Sequence, residues 1–177
     1  FDGADIINVT SSANNANSNL NFGNNSFTTE AWINIGELSI PDQTDPFILR
    51  KVDSLDNGFY AMILSDGGVY KPFMWVKDGS NRYTAKFSST ISLKQWHHIV
   101  EVFDRTGFRA YIDGNSAGTI TTVSGDVANI GLNVSNNIAL TIGLGSGIGV
   151  NGSITQVRIY NRSLSANQIY ELYNGYN

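Results

Sequence analysis

The feature that most limits what this chain can fold into is the shortness of its apolar runs. Segments rich in Val, Ile, Phe, Tyr, Trp and Thr last five to nine residues, and each is stopped by Gly, Asn, Asp or Pro. Side chains that alternate over such a length put one face of a strand inward, and frequent turn residues return the chain beside itself, which is the pattern of an antiparallel sandwich or barrel. The runs predict about eleven strands, at 5–9, 27–35, 46–52, 58–66, 69–77, 81–87, 96–104, 108–114, 116–121, 137–143 and 153–161.

Turn chemistry supports this order. Ser65-Asp66-Gly67-Gly68 and Asp78-Gly79-Ser80 supply glycines where tight hairpins need positive φ, and Arg105-Thr106-Gly107 joins two alternating runs. Helical spacing occurs at the end of the chain. In SLSANQIYELY, Ser165 and Gln168 form a capping box, and Ile169, Leu172 and Tyr173 share one face. The polar stretches 11–25 and 124–136 read as surface loops.

At 177 residues with 41% hydrophobic and 11% aromatic residues, the chain suits one domain, 1–177, with a full core. It opens at Phe1 with no basic, apolar leader, and is expected to be a piece of a longer protein. Charged residues make up 15%, the net charge is −4 and the eleven Lys and Arg are scattered, so no basic stripe offers itself to nucleic acid. No apolar stretch reaches the ~20 residues of a membrane-spanning helix, so membrane insertion is not expected. With no cysteine, thiolate catalysis, disulfides and cysteine-bound zinc are excluded.

Both histidines stand side by side in QWHHIVEVFDRTGFRAYIDG. On a strand they point to opposite faces, so they cannot serve one metal or one substrate atom together. Trp96, His98, Val100 and Val102 share one face and His97, Ile99, Glu101 and Phe103 the other, which makes His98 a hydrogen-bonded structural residue. Glu101 and Asp104 also diverge, and no strand carries the two acidic residues at i and i+2 that glycoside hydrolysis needs. Gly147 to Gly152 matches a dinucleotide fingerprint in letters only, since a β-type run follows where a helix should start. Serines near a histidine, such as Ser92, have no recognisable acid partner. No catalytic residue is expected.

Aromatic rings remain as candidate sugar platforms. Trp75, Tyr70, Tyr83 and Tyr60 lie on or beside the central strands, with Asp53, Asn57, Asp78 and Arg82 on adjoining turns to bond hydroxyls. Asp2 and Asp5 are candidate oxygen ligands for calcium.

Four segments occur together in a telling order: FDGAD at 1–5 before a β-run; SFTTEAWI at 26–33; WHHIV at 96–100 leading to AYIDG at 110–114; and GSITQVRIYNRSLS at 152–165. In this arrangement the chain resembles the laminin-G-like jelly roll of the concanavalin A-like lectin/glucanase superfamily along nearly its whole length. The resemblance implies an all-β, two-sheet antiparallel jelly-roll sandwich with one short C-terminal helix, in which the W-H-H strand and the Y-x-D-G hairpin are framework. It further implies a non-catalytic module that binds a glycan or polysaccharide, or serves adhesion, at an extracellular, cell-surface or virion location. Other domains of a parent protein or a virion assembly are the further partners it implies. It also implies a calcium ion at the sandwich edge. Acidic residues are frequent in the family where Thr155 and Gln156 stand here, so the calcium expectation rests on Asp2 and Asp5. Two alternatives stay open: a structural or protein-interaction domain of a fibre or surface assembly, and a glycoside hydrolase or lyase on the same scaffold.

Overall fold

A computed structural model describes residues 1–2, 4–9, 20–36, 47–55, 57–79, 81–104, 106–124, 136–145 and 148–175. The strands are β1 (Ile7–Val9), β2 (Phe27–Ile35), β3 (Phe47–Val52), β4 (Gly58–Asp66), β5 (Val69–Asp78), β6 (Asn81–Phe87), β7 (Trp96–Asp104), β8 (Gly107–Ile112), β9 (Asn115–Ser116), β10 (Ile120–Ser124), β11 (Leu140–Ile142), β12 (Leu144–Gly145), β13 (Ile148–Gly149) and β14 (Gly152–Tyr160), followed by helix α1 (Ala166–Asn174). They form two main antiparallel sheets, with strand orders β1-β11-β3-β4-β5-β6-β10 and β14-β2-β7-β8-β9, and a two-stranded β12-β13 ribbon. This is the jelly-roll sandwich with one short helix that the sequence predicts.

Side-chain alternation sorts each strand between two environments. Ala31, Ile33 and Ile35 of β2 and Ile99 and Phe103 of β7 meet Phe59, Ala61 and Ile63 of β4 and Met74 and Val76 of β5 in one core between the sheets. Phe27 anchors it, stacked on Phe22 with ring centroids 4.6 Å apart and tilted against Phe59 at 4.7 Å. Phe22 lies in a stretch expected to be a loop, yet only 3% of it is exposed. Of the other expected loop, Asn136 is buried; residues 10–19 and 125–135 lie outside the described part.

The five-stranded sheet is covered on its other face as well. Val100, Val102 and Tyr111 pack against Leu164 and Ile169, which belong to α1 and the segment leading into it. Thr28 fastens this segment: its buried hydroxyl donates to the Arg162 carbonyl at 2.9 Å and accepts from the Leu164 amide at 3.1 Å. The helix begins at the expected capping box, with the Ser165 hydroxyl accepting from the Gln168 amide at 3.3 Å and the Gln168 side chain accepting from the Ser165 amide at 3.0 Å.

Turns differ from expectation at two places: the run expected as one strand at 116–121 is broken at 117–119 into β9 of one sheet and β10 of the other, and the end of β8 also differs. The run expected to continue to residue 114 stops at Ile112, because Asp113 (φ 53°) and Gly114 (φ 74°) form a left-handed two-residue hairpin into β9. Gly114 is needed there, since a Cβ would sit 3.0 Å from the Tyr173 ring. The expected 65–68 hairpin is present, with Gly67 at φ 61° and Gly68 at φ 82°. Of the other two expected turns, Ser80 and Arg105 lie outside the described residues.

Burial on both faces forces the polar groups of β2 and β7 into partnerships. Glu30 is buried and accepts from His98 (3.1 Å), Arg158 (3.2 Å) and the Tyr160 hydroxyl (2.5 Å). Burial alone would raise its pKa, but these hydrogen bonds and the charges of His98 and Arg158 outweigh it, leaving the carboxyl below its ordinary value. Tyr160 is pushed up to about 12 by burial and by its bond to that carboxylate. Lys51 points between the sheets, fully buried, and donates to Asn21 Oδ1 and to both oxygens of Asn136 at 2.7–3.0 Å. Burial lowers its pKa to about 8, with Asp53 holding it up in part, so it remains an ammonium at neutral pH.

Glu101 has no such support. It faces the inter-sheet core, 1% exposed, beside a cavity of about 10 Å³ lined by Thr29, Ile48, Leu49, Ala61 and Ile99, room for one water. Among the described residues neither carboxyl oxygen makes a hydrogen bond of good geometry. Burial pushes its pKa well above the ordinary value, offset only slightly by the Phe73 amide that leans toward it.

Two stability predictions follow from these contacts. Replacing Ser165 by Ala removes the cap and is expected to lower the unfolding free energy by about 1 kcal/mol, measured by urea denaturation. For Glu101 the folded pKa exceeds the unfolded value of 4.5, so its burden is absent below pH 4.5 and grows as pH rises toward the folded value. Glu101→Met is therefore expected to gain about 1–3 kcal/mol over wild type at pH 8, a gain that shrinks steadily on titration toward pH 4.5.

Candidate functional site

The aromatic residues singled out in the sequence do not share one surface. Trp75 and Tyr60 lie directly opposite each other on β5 and β4, on the outer face of the seven-stranded sheet, stacked at 4.5 Å with planes 3° apart. Trp75 is only 3% exposed, so its indole is already spent on packing and offers no free face to a sugar. Tyr70 and Tyr83 are turned the other way and pack against the inter-sheet core.

The polar candidates beside them form a braced corner. Asp53 accepts from the Leu55 amide (2.9 Å), the Asn57 amide (2.8 Å) and the Asn57 side chain (3.2 Å). Burial would raise its pKa, but these bonds and the charge of Lys77 lower it. Asn57 in turn accepts from the Gly79 amide at 2.6 Å, and Lys77 donates to the Leu55 carbonyl. Asp78 pairs with Asn81, and Arg82 is exposed beside it. The structure thus brings Asp53, Asn57, Asp78 and Arg82 to one end of the sheet, where the first two satisfy backbone groups of their own turns.

The calcium candidates are similarly engaged. Asp2 accepts from the Ala4 amide at 2.9 Å and Asp5 from the Asp2 amide at 3.1 Å, with both residues exposed. Among the described residues no third His, Cys, Asp or Glu joins them in a group that could hold a metal ion.

The histidines separate as strand alternation requires. His98 is fully buried with Glu30, and its ring makes a three-ring cluster with Trp32 (5.3 Å) and Tyr173 (6.0 Å). His97, on the opposite face, has an acid partner that the sequence did not reveal. Its Nδ1 lies 2.8 Å from Asp113 Oδ2, and its Nε2 lies 2.9 Å from the Ser92 hydroxyl. Asp113 is oriented by the His98 amide at 2.8 Å. Ser92, His97 and Asp113 therefore have the spacing of a nucleophile, a base and its orienting acid.

Two further bonds tie the same groups into the turn that precedes β7. The Ser92 amide donates to His97 Nε2 at 3.3 Å, and the Ser92 hydroxyl donates to Gln95 Oε1 at 3.0 Å. The Ser92 hydroxyl is thus within bonding distance of both Gln95 Oε1 and His97 Nε2, and the Ser92 amide faces the same nitrogen. The three side chains clamp the 92–95 turn, where Lys94 has φ 60°, to the β8–β9 hairpin.

The open aromatic surface lies elsewhere. At the start of β7, Trp96 is 46% exposed and joins Trp32, Thr155 and Gln156 around a cleft of about 190 Å³ on the outer face of the five-stranded sheet. Trp32 pairs across β2–β14 with Thr155 and across β2–β7 with His98, which places Trp96 diagonally beside it. Its far side stacks on Tyr173 of α1 at 5.8 Å. The floor ends at a register break between Thr155 and Arg158, where Gln156 has φ 50°. A left-handed glutamine costs about 1 kcal/mol or more, and bulges of this kind re-aim side chains.

Comparison with known proteins matches this architecture. A laminin-G-type family model, described as concanavalin A-like lectin/glucanases superfamily, matches residues 8–170. Among solved structures, the binding domain of Paraclostridial Mosquitocidal Protein 1 is 20% identical with a TM-score of 0.66, over 99% of this chain and 45% of that one. A botulinum neurotoxin type C structure, whose cell entry is described as dependent on two ganglioside molecules, is 16% identical with a TM-score of 0.65, over 97% and 40%. The heptameric SAP-like pentraxin of Limulus polyphemus is 17% identical with a TM-score of 0.63, over 84% and 70%. The chain thus spans less than half the length of the two toxin chains, and these likenesses show a shared fold. No curated protein sequence gives a significant match. With two sheets, framework hairpin and terminal helix all in place, the chain belongs to the concanavalin A-like lectin/glucanases superfamily as a laminin-G-type domain.

Proposed function

We propose that this domain is a non-catalytic, carbohydrate-binding module acting outside the cell. One observation carries the reading: among the described residues Glu30, Glu101 and His97 are committed to the fold, while an indole stands open over a cleft. Glu101 is sealed in the core, Glu30 is bound by His98, Arg158 and Tyr160, and His97 is held by Asp113 and Ser92. No two of these carboxylates face a common cleft across which a glycosidic bond could be split. The neighbours support a binding role, since two are toxin binding or cell-entry proteins and one of these is described with gangliosides. A calcium ion on Asp2 and Asp5 remains part of the proposal as an edge-stabilising or ligand-bridging ion.

A second reading, an interaction domain in a larger surface or fibre assembly, is favoured by exposed Ile6 (44%) and Ile7 (51%) at β1, the edge of the seven-stranded sheet. An uncovered apolar edge is a ready template for another chain.

The test is a glycan and polysaccharide array probed with the domain displayed multivalently, so that weak sites add, in calcium and again in EDTA. Binding in both conditions is expected if the open cleft carries recognition, and binding lost in EDTA assigns it to the Asp2–Asp5 edge. No binding in either condition, together with a stable oligomer by light scattering, transfers the function to the assembly reading.

A further inference from the structure

We infer that the cleft formed by Trp96, Trp32, Thr155 and Gln156 is the sugar site, and that its ligand is a neutral pyranose. The inference rests on the carbohydrate-binding reading above and deepens it by naming the surface and the chemical class.

Three independent features converge on this cleft. The first is the pair of indoles. Trp96 is the only tryptophan among the large exposed apolar side chains, and unlike Trp75 its ring is uncovered. A pyranose presents an apolar face of C–H groups that packs on such a flat ring, and the neighbouring Trp32 supplies a second wall. The volume of about 190 Å³ is below the usual range for drug-sized ligands, so it suits one ring of a chain whose remaining sugars stay in solvent.

The second feature is the bulge. A regular β14 would alternate through residues 155–158, but the register shift and the left-handed φ of Gln156 leave Thr155 and Gln156 both on the cleft wall. Thr155 contributes a hydroxyl, which donates and accepts; Gln156 contributes an amide with two donors and an acceptor. Both can bond the equatorial hydroxyls of a stacked sugar. The left-handed Gln156 sits in a bulge, a device that re-aims side chains and is over-represented beside functional sites.

The third feature is charge. The lining carries none, and Arg158, the nearest cation along β14, is bound to the Glu30 carboxylate. An anionic sugar would gain no ion pair inside the cleft and would lose hydration on entry. Hydroxyl-rich neutral rings lose nothing of the kind, which is why the class is neutral.

The experiment uses the chain's three tryptophans as built-in reporters. Indole N–H signals in a ¹⁵N spectrum, assigned by single Trp→Phe variants, are followed while methyl β-D-galactopyranoside, methyl α-D-glucopyranoside and sialic acid are titrated separately. At least one neutral glycoside is expected to shift the Trp96 and Trp32 signals to saturation, with a dissociation constant on the order of 1 mM, while Trp75 stays in place and sialic acid leaves all three unmoved. Trp96→Ala is expected to weaken binding about tenfold or more. Gln156→Gly keeps the backbone and relieves its strain, so it should fold at least as stably as wild type and yet bind at least threefold more weakly.

Shifts at Trp75 alone, wild-type affinity in a folded Trp96→Ala variant, or saturable binding of sialic acid but of neither neutral glycoside would overturn the site or its ligand class. If the wild-type array is positive in any of these cases, carbohydrate binding stands and only the location fails. A silent array with no indole shift sinks both.

Discussion

The constraint on which the rest of this structure depends is that the central strands of the five-stranded sheet, β2 and β7, are buried on both faces over most of their length. Against one face lies the seven-stranded sheet, and against the other α1 with its capped entry segment. A strand so placed has no solvated side, so every polar side chain on β2 and β7 must find a partner or remain uncharged. Glu30 and His98 find each other, with Arg158 and Tyr160 completing the carboxylate's bonds from the edge strand. Thr28 ties the helix entry to the sheet it covers. Glu101, on the core side, has only burial and the Phe73 amide, and burial raises its pKa well above the ordinary value. Buried hydrogen-bonded charges of this kind favour one register over its neighbours, because a slip of one residue would send Glu30 into the apolar core.

The same constraint explains where function can reside. A helix of nine residues cannot cover a nine-residue strand from end to end, since it rises 1.5 Å per residue against about 3.3 Å for the strand. It covers Val100 and Val102, and Tyr173 extends the cover to His98 and Trp32. Trp96, at the far end of β7, lies past that cover. The cleft lies where the helix leaves the β2–β7 part of that face open, and the bulge in β14 gives it a polar wall. On the opposite sheet the Tyr60–Trp75 stack shows the converse: a ring of the right chemistry closed by its neighbours.

Much of this was legible in the chain. The bounds of β2, β4, β6 and β7 coincide with their runs of apolar, β-branched and aromatic residues, because turn residues close each run at both ends. The capping box of α1 was legible because both of its bonds are local. The two-residue strands β12 and β13 carry no period and left no trace. Phe22 was hidden among polar neighbours, although its ring completes the Phe27 cluster. Strand alternation separated His97 from His98 correctly, but it could not pair His97 with Asp113, since their contact depends on a left-handed Asp113–Gly114 turn. The sugar platform was sought around Trp75 because aromatic content shows in a sequence and exposure does not. What singles out Trp96 is that a helix packed on the rest of β7 from seventy residues downstream stops short of it, a purely tertiary fact.

The most direct test of this account is a crystal structure of the domain soaked with a neutral oligosaccharide at high concentration. The account predicts density for one pyranose ring lying flat on Trp96, its hydroxyls within bonding distance of Thr155 and Gln156. A sugar bound instead over the Tyr60–Trp75 face, or at the Asp2–Asp5 edge with the Trp96 cleft empty, would contradict it.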